Sequence, residues 1–150
     1  MDPYTTHFSG SSYGVAFDVP MISHITGNLY VGGVRKGLVL PQDIQHVVSL
    51  HPWDSYISRH EIRSTMGVFI MDEPAVNNHL VLATADWVAS CLDSGPTLVH
   101  CQAGINRSPM VAALALIQKG WTPDGAIALL RKQRSLAVLS NRTFEEFVRP

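Results

Sequence analysis

A short segment of the chain holds two side chains that can do chemistry together. The segment VHCQAGINRSP, Val99 to Pro109, places five residues between Cys101 and Arg107. An apolar, β-branched run precedes it and an apolar run follows it, which predicts a strand, a loop and a helix. The free N–H groups and the dipole of a helix start favour a bound anion. We therefore expect an anion site with a thiol beside it.

The other residues of this loop indicate that the anion is a phosphate. Arg107 carries a planar fork of donors that suits two oxygens of one phosphate group. Gly104 allows the backbone to curve closely around it. A helix start and an arginine both favour the thiolate form of a cysteine. Cys101 is therefore predicted to be a nucleophile that attacks phosphorus.

The loop resembles the signature of the cysteine-based protein tyrosine phosphatases, and HCQAGINRS is most similar to their dual-specificity branch. The pattern His-Cys-x2-Gly-x2-Arg-Ser/Thr is matched by His100, Cys101, Gly104, Arg107 and Ser108. Further similarity lies in ITGNLYVGG and in NRTF, so the resemblance runs from about Ile22 to Val148. The length of the chain is also similar to that of the small dual-specificity domain.

This resemblance implies a reaction in two steps without a cofactor or a metal. Cys101 would take the phosphoryl group as a thiophosphate, and water would then remove it. Ser108 would hydrogen-bond the sulfur as it leaves in the second step. His100 would shape the loop by hydrogen bonding, and a role as a base is the alternative. The phosphate would be bound by Gln102, Ala103, Gly104, Ile105, Asn106 and Arg107.

Three of the polar residues also have plainer interpretations. Ser108 stands where the N-cap of the following helix is expected. Asn141 either ties its helix to the phosphate loop, as in relatives, or simply caps that helix. Asn106 occupies a position where dual-specificity relatives often have Ser, and it is similar to the Gly-x-Asn-Arg of related RNA 5′-phosphatases. A loop-stabilising amide is the alternative for Asn106.

The first step needs a proton donor, because the leaving phenol of tyrosine has a pKa of about 10. The segment FIMDEP, Phe69 to Pro74, follows a predicted strand at the edge of the sheet where the cysteine loop lies. Members of the family carry their acid aspartate in this loop. Asp72 is therefore the predicted general acid, and Glu73 and Asp54 are the alternatives.

A second loop is expected at the same edge of the sheet. It runs from His51 to Arg63 after the second predicted strand. Trp53, Tyr56 and Arg59 in this loop are candidates to line the substrate groove. A solvated loop is the alternative interpretation of the same residues.

The pattern of short apolar runs predicts four central strands, and helical spacing predicts four helices. The strands are expected at 28–33, 46–50, 67–71 and 97–100. The helices are expected from a cap at Asn78 to Leu92, from Met110 to Lys119, from Pro123 to about Arg134, and after Asn141. The order of these elements predicts an α/β domain, in which helices flank a small, mostly parallel sheet.

The composition bounds the class of protein. A chain of 150 residues with 46% hydrophobic content is expected to form one core. Residues 1–20 are expected to be a partly ordered leader that packs through Phe17 and Val19, and 21–150 the catalytic domain. A formal charge of −1 gives no drive toward nucleic acid or an anionic membrane. Oligomeric state is left open.

The cysteines and histidines indicate neither a scaffold of disulfides nor a metal site. There are only two cysteines, Cys91 and Cys101, which fits a reducing cytoplasm. Cys91 is interpreted as a core residue of its helix rather than a redox partner. The other six histidines show no paired ligand spacing, so no metal is expected. No run of residues reads as an export signal or a membrane span.

The sequence therefore predicts a phosphatase that acts on phosphotyrosine, and on phosphoserine or phosphothreonine, in phosphoproteins or phosphopeptides. The Lys-Asn-Arg-Tyr motif that deepens the pocket in tyrosine-only relatives is not found, so a shallow, permissive site is expected. A phosphatase of phosphoinositides or RNA 5′ ends is the alternative, although the loop residues 102–106 are all uncharged. A binding module that has lost catalysis is the remaining alternative.

Overall fold

The computed structural model describes residues 2–53 and 56–150. It is an α/β structure with a small, mostly parallel sheet flanked by helices, as the sequence predicted. The strands are β1 His7–Ser12, β2 Val15–Pro20, β3 Ile22–Thr26, β4 Leu29–Gly33, β5 His46–Ser49, β6 Ser64–Gly67 and β7 Thr97–Cys101. The helices are α1 Asn78–Leu92, α2 Arg107–Gln118, α3 Pro123–Gln133 and α4 Arg142–Val148.

The main sheet has the order β3-β4-β7-β5-β6. Strands β4, β7, β5 and β6 are parallel, and β3 joins the edge as an antiparallel hairpin with β4. Every residue of the central strand β7 is buried, which explains why apolar and polar residues do not alternate in its sequence. Because the strands are parallel, the loops after β5, β6 and β7 emerge at one edge.

Helix α2 lies at the centre of the helical layer. It contacts β4 and β7 on one side and the other three helices on the other. Its residues from Arg107 to Leu116 are all buried, as its nearly uniform apolar sequence predicted. Thr122 and Asn141 cap α3 and α4, and helices were predicted to begin directly after both residues. Because the first residues of α2 are buried, this helix begins inside the core, beside the end of β7.

Several predicted boundaries differ from the observed ones, and two of these differences have a clear physical reason. The third strand was expected at 67–71, but β6 ends at Gly67. The apolar run continues beyond Gly67 because Ile70 is buried in the core without being paired to a neighbouring strand. A hydrophobic pattern therefore does not mark the residue at which strand pairing ends. The cap of α1 is Asn77 and not Asn78, since the side-chain oxygen of Asn77 accepts from the Leu80 N–H at 3.2 Å.

The first twenty residues contain elements that were not among the predicted strands. β1 and β2 form a separate antiparallel hairpin, here called the N-terminal hairpin. The contacts expected of Phe17 and Val19 are present: both pack in a small cluster with Ile105 and Ala137. The N-terminal hairpin therefore lies against the loop between β7 and α2, to which Ile105 belongs. Strand β3 was also not among the predicted strands.

Candidate active site

The loop between β7 and α2 curls into a cradle, here called the phosphate loop, Gln102 to Asn106. Gly104 has φ +71, in the left-handed region that favours glycine. A Cβ at this position would lie 2.6 Å from the carbonyl carbon of Gly32 at the end of β4. The loop is therefore closed by direct contact between two backbone segments.

Cys101 lies at the floor of this cradle and is 2% exposed. Its sulfur accepts a hydrogen bond from the Gly104 N–H at 3.1 Å and lies 3.3 Å from the Ser108 hydroxyl. Both groups can donate a hydrogen bond to the sulfur. Ser108 is completely buried in the first turn of α2, so its hydroxyl is held facing the sulfur.

Arg107 begins α2 and is held from two sides. Its Nη1 donates to the carbonyl of Ile70 at 3.1 Å, and its Nη2 donates to the side-chain oxygen of Gln102 at 3.1 Å. Its Nε is buried with no hydrogen-bond partner among the described residues. A buried donor without a partner is unfavourable. The guanidinium is therefore both oriented and able to receive a further acceptor.

His100 is fully buried behind the loop. Its Nδ1 lies 3.3 Å from the Cys101 carbonyl, and its ring meets the ring of Tyr56 edge-on, with centroids 5.6 Å apart. Burial lowers the pKa of His100 to about 4, and His51 adds to the effect. The imidazole is neutral at pH 7, which suits a part in shaping the loop.

Arg134, at the end of α3, supports the loop from below, and sequence reasoning missed it. Its guanidinium donates to the carbonyls of Gly104 at 2.7 Å and Ala103 at 2.9 Å. It also donates to the carbonyl of Pro20 and the hydroxyl of Ser23, which tie the loop to the N-terminal strands. Burial lowers the pKa of Arg134 to about 10, so it stays charged at pH 7.

Asp72 is exposed in the loop after β6, and its carboxylate is held above the phosphate loop by side-chain donors. Asn106 donates to Oδ2 at 3.1 Å, and Asn141 donates to Oδ1 at 2.9 Å. Tyr13, at the tip of the N-terminal hairpin, donates to Oδ1 at 3.2 Å. Sequence reasoning missed Tyr13, because 59 positions separate it from Asp72.

Asn141 does both of the things that were considered for it. Its side-chain oxygen caps α4 by accepting from the N–H groups of Thr143 and Phe144. Its backbone N–H donates to the side-chain oxygen of Asn106 at 2.9 Å, so the helix is tied to the phosphate loop. Asn106 is only 2% exposed and also donates to the Ser12 hydroxyl at 2.7 Å. The two amides therefore link three segments.

These groups surround one cavity of about 220 Å³, here called the catalytic cavity. The phosphate loop and Cys101 form its floor, and Asp72 stands at its rim. The N-terminal hairpin supplies one wall through Ser11, Ser12 and Phe17. The N-terminal hairpin, for which the sequence predicted no function, therefore borders the cavity on one side.

The residues proposed for the substrate groove lie elsewhere. Tyr56 does not line the catalytic cavity, since its ring packs against His100 and the apolar cluster of Met21 and Leu38. Trp53 is 67% exposed and contacts Phe69 edge-on at 4.7 Å between centroids. Arg59 is an exposed residue and is not among those that line the cavity.

One alternative to Asp72 as the acid, Glu73, is not among the residues that line the catalytic cavity. Glu73 lines a different cavity, beside the start of α1. Asp54 lies outside the described residues.

Within residues 2–53 and 56–150, no three His, Cys, Asp or Glu side chains gather as metal ligands would. No helix in the described part of the chain is long and apolar enough to cross a bilayer.

Solved structures with this architecture include dual-specificity phosphatases, a branch of the cysteine-based protein tyrosine phosphatases, and the chain has their fold. Human DUSP28 superposes with a TM-score of 0.63 at 17% identity, over 87% of this chain and 97% of that one. The human tyrosine phosphatase-like serine/threonine/tyrosine-interacting protein gives 0.67 at 19% identity, over 85% and 92% of the two chains. OH1 from the Orf virus gives 0.62 at 22% identity, over 85% and 83%.

Curated proteins match over a shorter segment. Protein tyrosine phosphatase type IVA 3 of Bos taurus is 39% identical over 72 residues, 43% of this chain and 42% of that protein. The Homo sapiens protein of the same name is 43% identical over 53 residues, 35% of this chain and 31% of that protein. The matched segment thus spans less than half of these relatives. No protein-family model matches the chain.

Proposed function

We propose that the chain is a phosphatase of phosphoproteins that works through a cysteinyl-phosphate intermediate. The observation that carries this proposal is the position of the Cys101 sulfur at the floor of a cavity that Arg107 and Asp72 also line. A nucleophile, an oriented guanidinium and a proton donor around one cavity are what phosphoryl transfer to a thiol requires.

In the first step the Cys101 sulfur attacks phosphorus and the bond from phosphorus to the tyrosyl oxygen breaks. Arg107 and the backbone N–H groups of the phosphate loop stabilise the charge on the phosphoryl oxygens. Asp72 gives its proton to the leaving oxygen, which departs as a phenol. The position of Asp72 at the rim supports this role, because the leaving oxygen points away from the floor.

In the second step a water molecule attacks the phosphocysteine and the bond from phosphorus to sulfur breaks. The Asp72 carboxylate formed in the first step takes a proton from this water. Ser108 donates a hydrogen bond to the sulfur as it leaves as a thiolate, a role supported by their 3.3 Å separation. The enzyme returns to its starting protonation state, and inorganic phosphate is the product.

The substrates we propose are phosphotyrosine and also phosphoserine or phosphothreonine, in peptides or proteins. OH1, one of the solved structures, is described as a tyrosine phosphatase with triple substrate specificity. The uncharged residues of the phosphate loop support protein substrates over polyanionic lipids, since lysines in this loop would favour the latter. The cytoplasm is the compartment we propose, and the two free cysteines support it.

The proposal is tested by rates on matched phosphotyrosine and phosphothreonine peptides, a phosphoinositide and a 5′-triphosphate RNA. Hydrolysis of the peptides is expected. The Cys101→Ser variant is the control, and its turnover should fall by about a thousandfold or more while phosphopeptide binding remains. Activity on only the lipid or the RNA would overturn the substrate class, and an active Cys101→Ser variant would overturn the mechanism.

A further inference from the structure

The tip of the N-terminal hairpin carries a residue that does not suit its turn. Ser12 pairs with Val15, so Tyr13 and Gly14 form a two-residue loop, with φ +47 and +79. Such loops favour Asn-Gly or Asp-Gly, because a bulky side chain is strained where φ is positive. Strain of this kind is found at functional positions more often than elsewhere. The geometry of the turn therefore does not explain why a tyrosine occupies position 13.

The hydroxyl of Tyr13 joins three separate parts of the site. It lies 3.2 Å from Oδ1 of Asp72 and 3.3 Å from the Asp72 carbonyl, so it donates to this residue. Its oxygen in turn accepts from the side-chain amide of Asn141 at 3.1 Å. The N-terminal hairpin, the loop after β6 and the start of α4 thus meet at one hydroxyl.

We propose that Tyr13 is a positioning residue for the proton donor. Its hydroxyl holds the Asp72 carboxyl at the rim of the catalytic cavity, where the leaving oxygen departs. The inference rests on the proposed function, in which Asp72 supplies that proton. It adds that the chain before the resembling region, which begins near Ile22, takes part in the chemistry.

The arrangement of donors on Asp72 also selects the oxygen that carries the proton. Tyr13 and Asn141 both donate to Oδ1, whereas Oδ2 receives one bond, from Asn106 of the phosphate loop. An oxygen that already accepts two hydrogen bonds is the poorer place for a proton. The proton to be transferred therefore sits on Oδ2, the oxygen nearer the phosphate loop.

The hydroxyl of Tyr13 keeps its proton near neutral pH and can therefore donate a hydrogen bond. Burial raises the pKa of Tyr13, and Asp72 and Glu73 raise it further, while Arg107 opposes them. The tip is also anchored by its neighbour Ser12, whose hydroxyl lies 3.0 Å from that of Ser140. The position of Tyr13 is thus fixed independently of its own hydroxyl, so removing the hydroxyl should leave the hairpin docked.

The test is the Tyr13→Phe variant, assayed on two substrates that differ in their need for a proton. The value of kcat/KM, which reports the first step, should fall about tenfold on a phosphotyrosine peptide, the effect of one hydrogen bond to a charged group. On p-nitrophenyl phosphate, whose leaving group departs without a proton, the change should stay below about twofold. An equal loss on both substrates would overturn the proposal.

The matched control is Tyr30→Phe. Tyr30 also hydrogen-bonds a carboxylate, that of Asp43, but it lies on β4 and does not line the catalytic cavity. This variant should keep the wild-type ratio of the two rates. A second variant, Tyr13→Asn, suits the turn and should keep the wild-type melting temperature while showing the same selective loss of rate. Absence of that selective loss would contradict the proposal.

A double variant separates the role of Tyr13 from that of Asp72. If Tyr13 acts through Asp72, Tyr13→Phe should have no further effect on kcat/KM in the Asp72→Asn background. A further tenfold loss there would overturn the role of Tyr13. If Asp72→Asn alone does not discriminate between the two substrates, the proposed proton donor itself is wrong. If Asp72→Asn discriminates and Tyr13→Phe does not, only the inference about Tyr13 fails.

Discussion

The phosphate loop and the N-terminal hairpin border the same catalytic cavity, but they are held in place by different means. The loop rests on buried groups: Arg134 donates to two of its carbonyls, and Gly104 contacts the backbone of β4. The hairpin is a sheet of two strands that is not paired with the main sheet. It is attached by a small apolar cluster, by side-chain hydrogen bonds at its tip, and at its end by one bond from Arg134 to the carbonyl of Pro20.

This difference separates two requirements of the reaction. Groups that bind phosphate must be preorganised, and a buried, charged support gives them a fixed geometry. The proposed proton donor, Asp72, is exposed beside the catalytic cavity, where substrate would have to pass. Support by one small apolar cluster and a few hydrogen bonds allows local opening at low free energy. We therefore expect changes in the loop to have large effects and changes in the hairpin to have small ones.

The largest effect is expected from Arg107→Lys. This change keeps the positive charge but removes the planar fork that the phosphate oxygens need. The value of kcat/KM should fall by about a hundredfold to a thousandfold on all substrates. Steady-state kinetics on a phosphotyrosine peptide would check it, and a rate near that of the wild type would mean that charge alone is sufficient.

The buried His100 should make the stability of the fold depend on pH. Its pKa is about 4 when folded, below the usual value near 6.5 when unfolded. Between these values the unfolded chain binds a proton that the folded chain does not, so stability falls as the pH falls from 6.5 to 4. The loss should reach about 3 kcal/mol at pH 4.

Urea unfolding at pH 7 and at pH 4.5 measures this effect. In the His100→Asn variant the free energy of unfolding should depend less on pH over this range. His46, whose pKa burial also lowers, would contribute in the same direction in both proteins. The comparison between them therefore isolates His100, and identical pH profiles would contradict the interpretation.

A smaller loss is expected from Arg134→Met, which leaves the carbonyls of Ala103 and Gly104 without their donor. The free energy of unfolding should fall by about 2 kcal/mol, since unpaired buried acceptors are unfavourable. Arg149→Met is the matched control, because Arg149 forms only surface ion pairs with Asp124 and Glu145. Chemical denaturation of both variants should show a clearly larger loss for the buried arginine.

The smallest effect is expected in the N-terminal hairpin, from Ser12→Ala. Ser12 accepts from Asn106 and also contacts the hydroxyl of Ser140. Losing these bonds should weaken docking of the hairpin by about 1 kcal/mol. Hydrogen exchange should become faster in β1 and β2 and stay unchanged in β7. Unchanged exchange in the hairpin would show that its apolar cluster alone holds it.

The sequence predicted the parts of the molecule that local pattern determines. The strand, loop and helix around Cys101 followed from periodicity and the signature, and the cap at Asn141 from residue type. The position of Asp72 beside the cavity followed from the family resemblance and from the rule that parallel strands end at one edge, although its strand was misplaced. Gly67 ends β6 while the apolar run continues, and pattern alone does not separate a paired residue from a buried one.

Other parts of the site depend on contacts between distant residues. Arg134 lies 30 positions from Gly104 and looks in the sequence like an ordinary basic residue near the end of a helix. Tyr13 lies in a stretch of small and polar residues that predicts a loose leader. The substrate groove around Trp53 was inferred from the sheet edge alone. In each case the folded chain, and not local pattern, sets the neighbours.

The contact between glycines at the end of β4 and in the phosphate loop affects how related chains can be recognised. A Cβ at Gly33 would lie 2.4 Å from the carbonyl oxygen of Gln102, and one at Gly104 would meet Gly32. No side chain fits on either surface, so the two segments can change only together. A chain that keeps the His-Cys signature, and with it Gly104, but has a larger residue in place of Gly33 must fold its loop differently. A glycine at this distant position therefore serves, together with the signature, as a filter in sequence comparison.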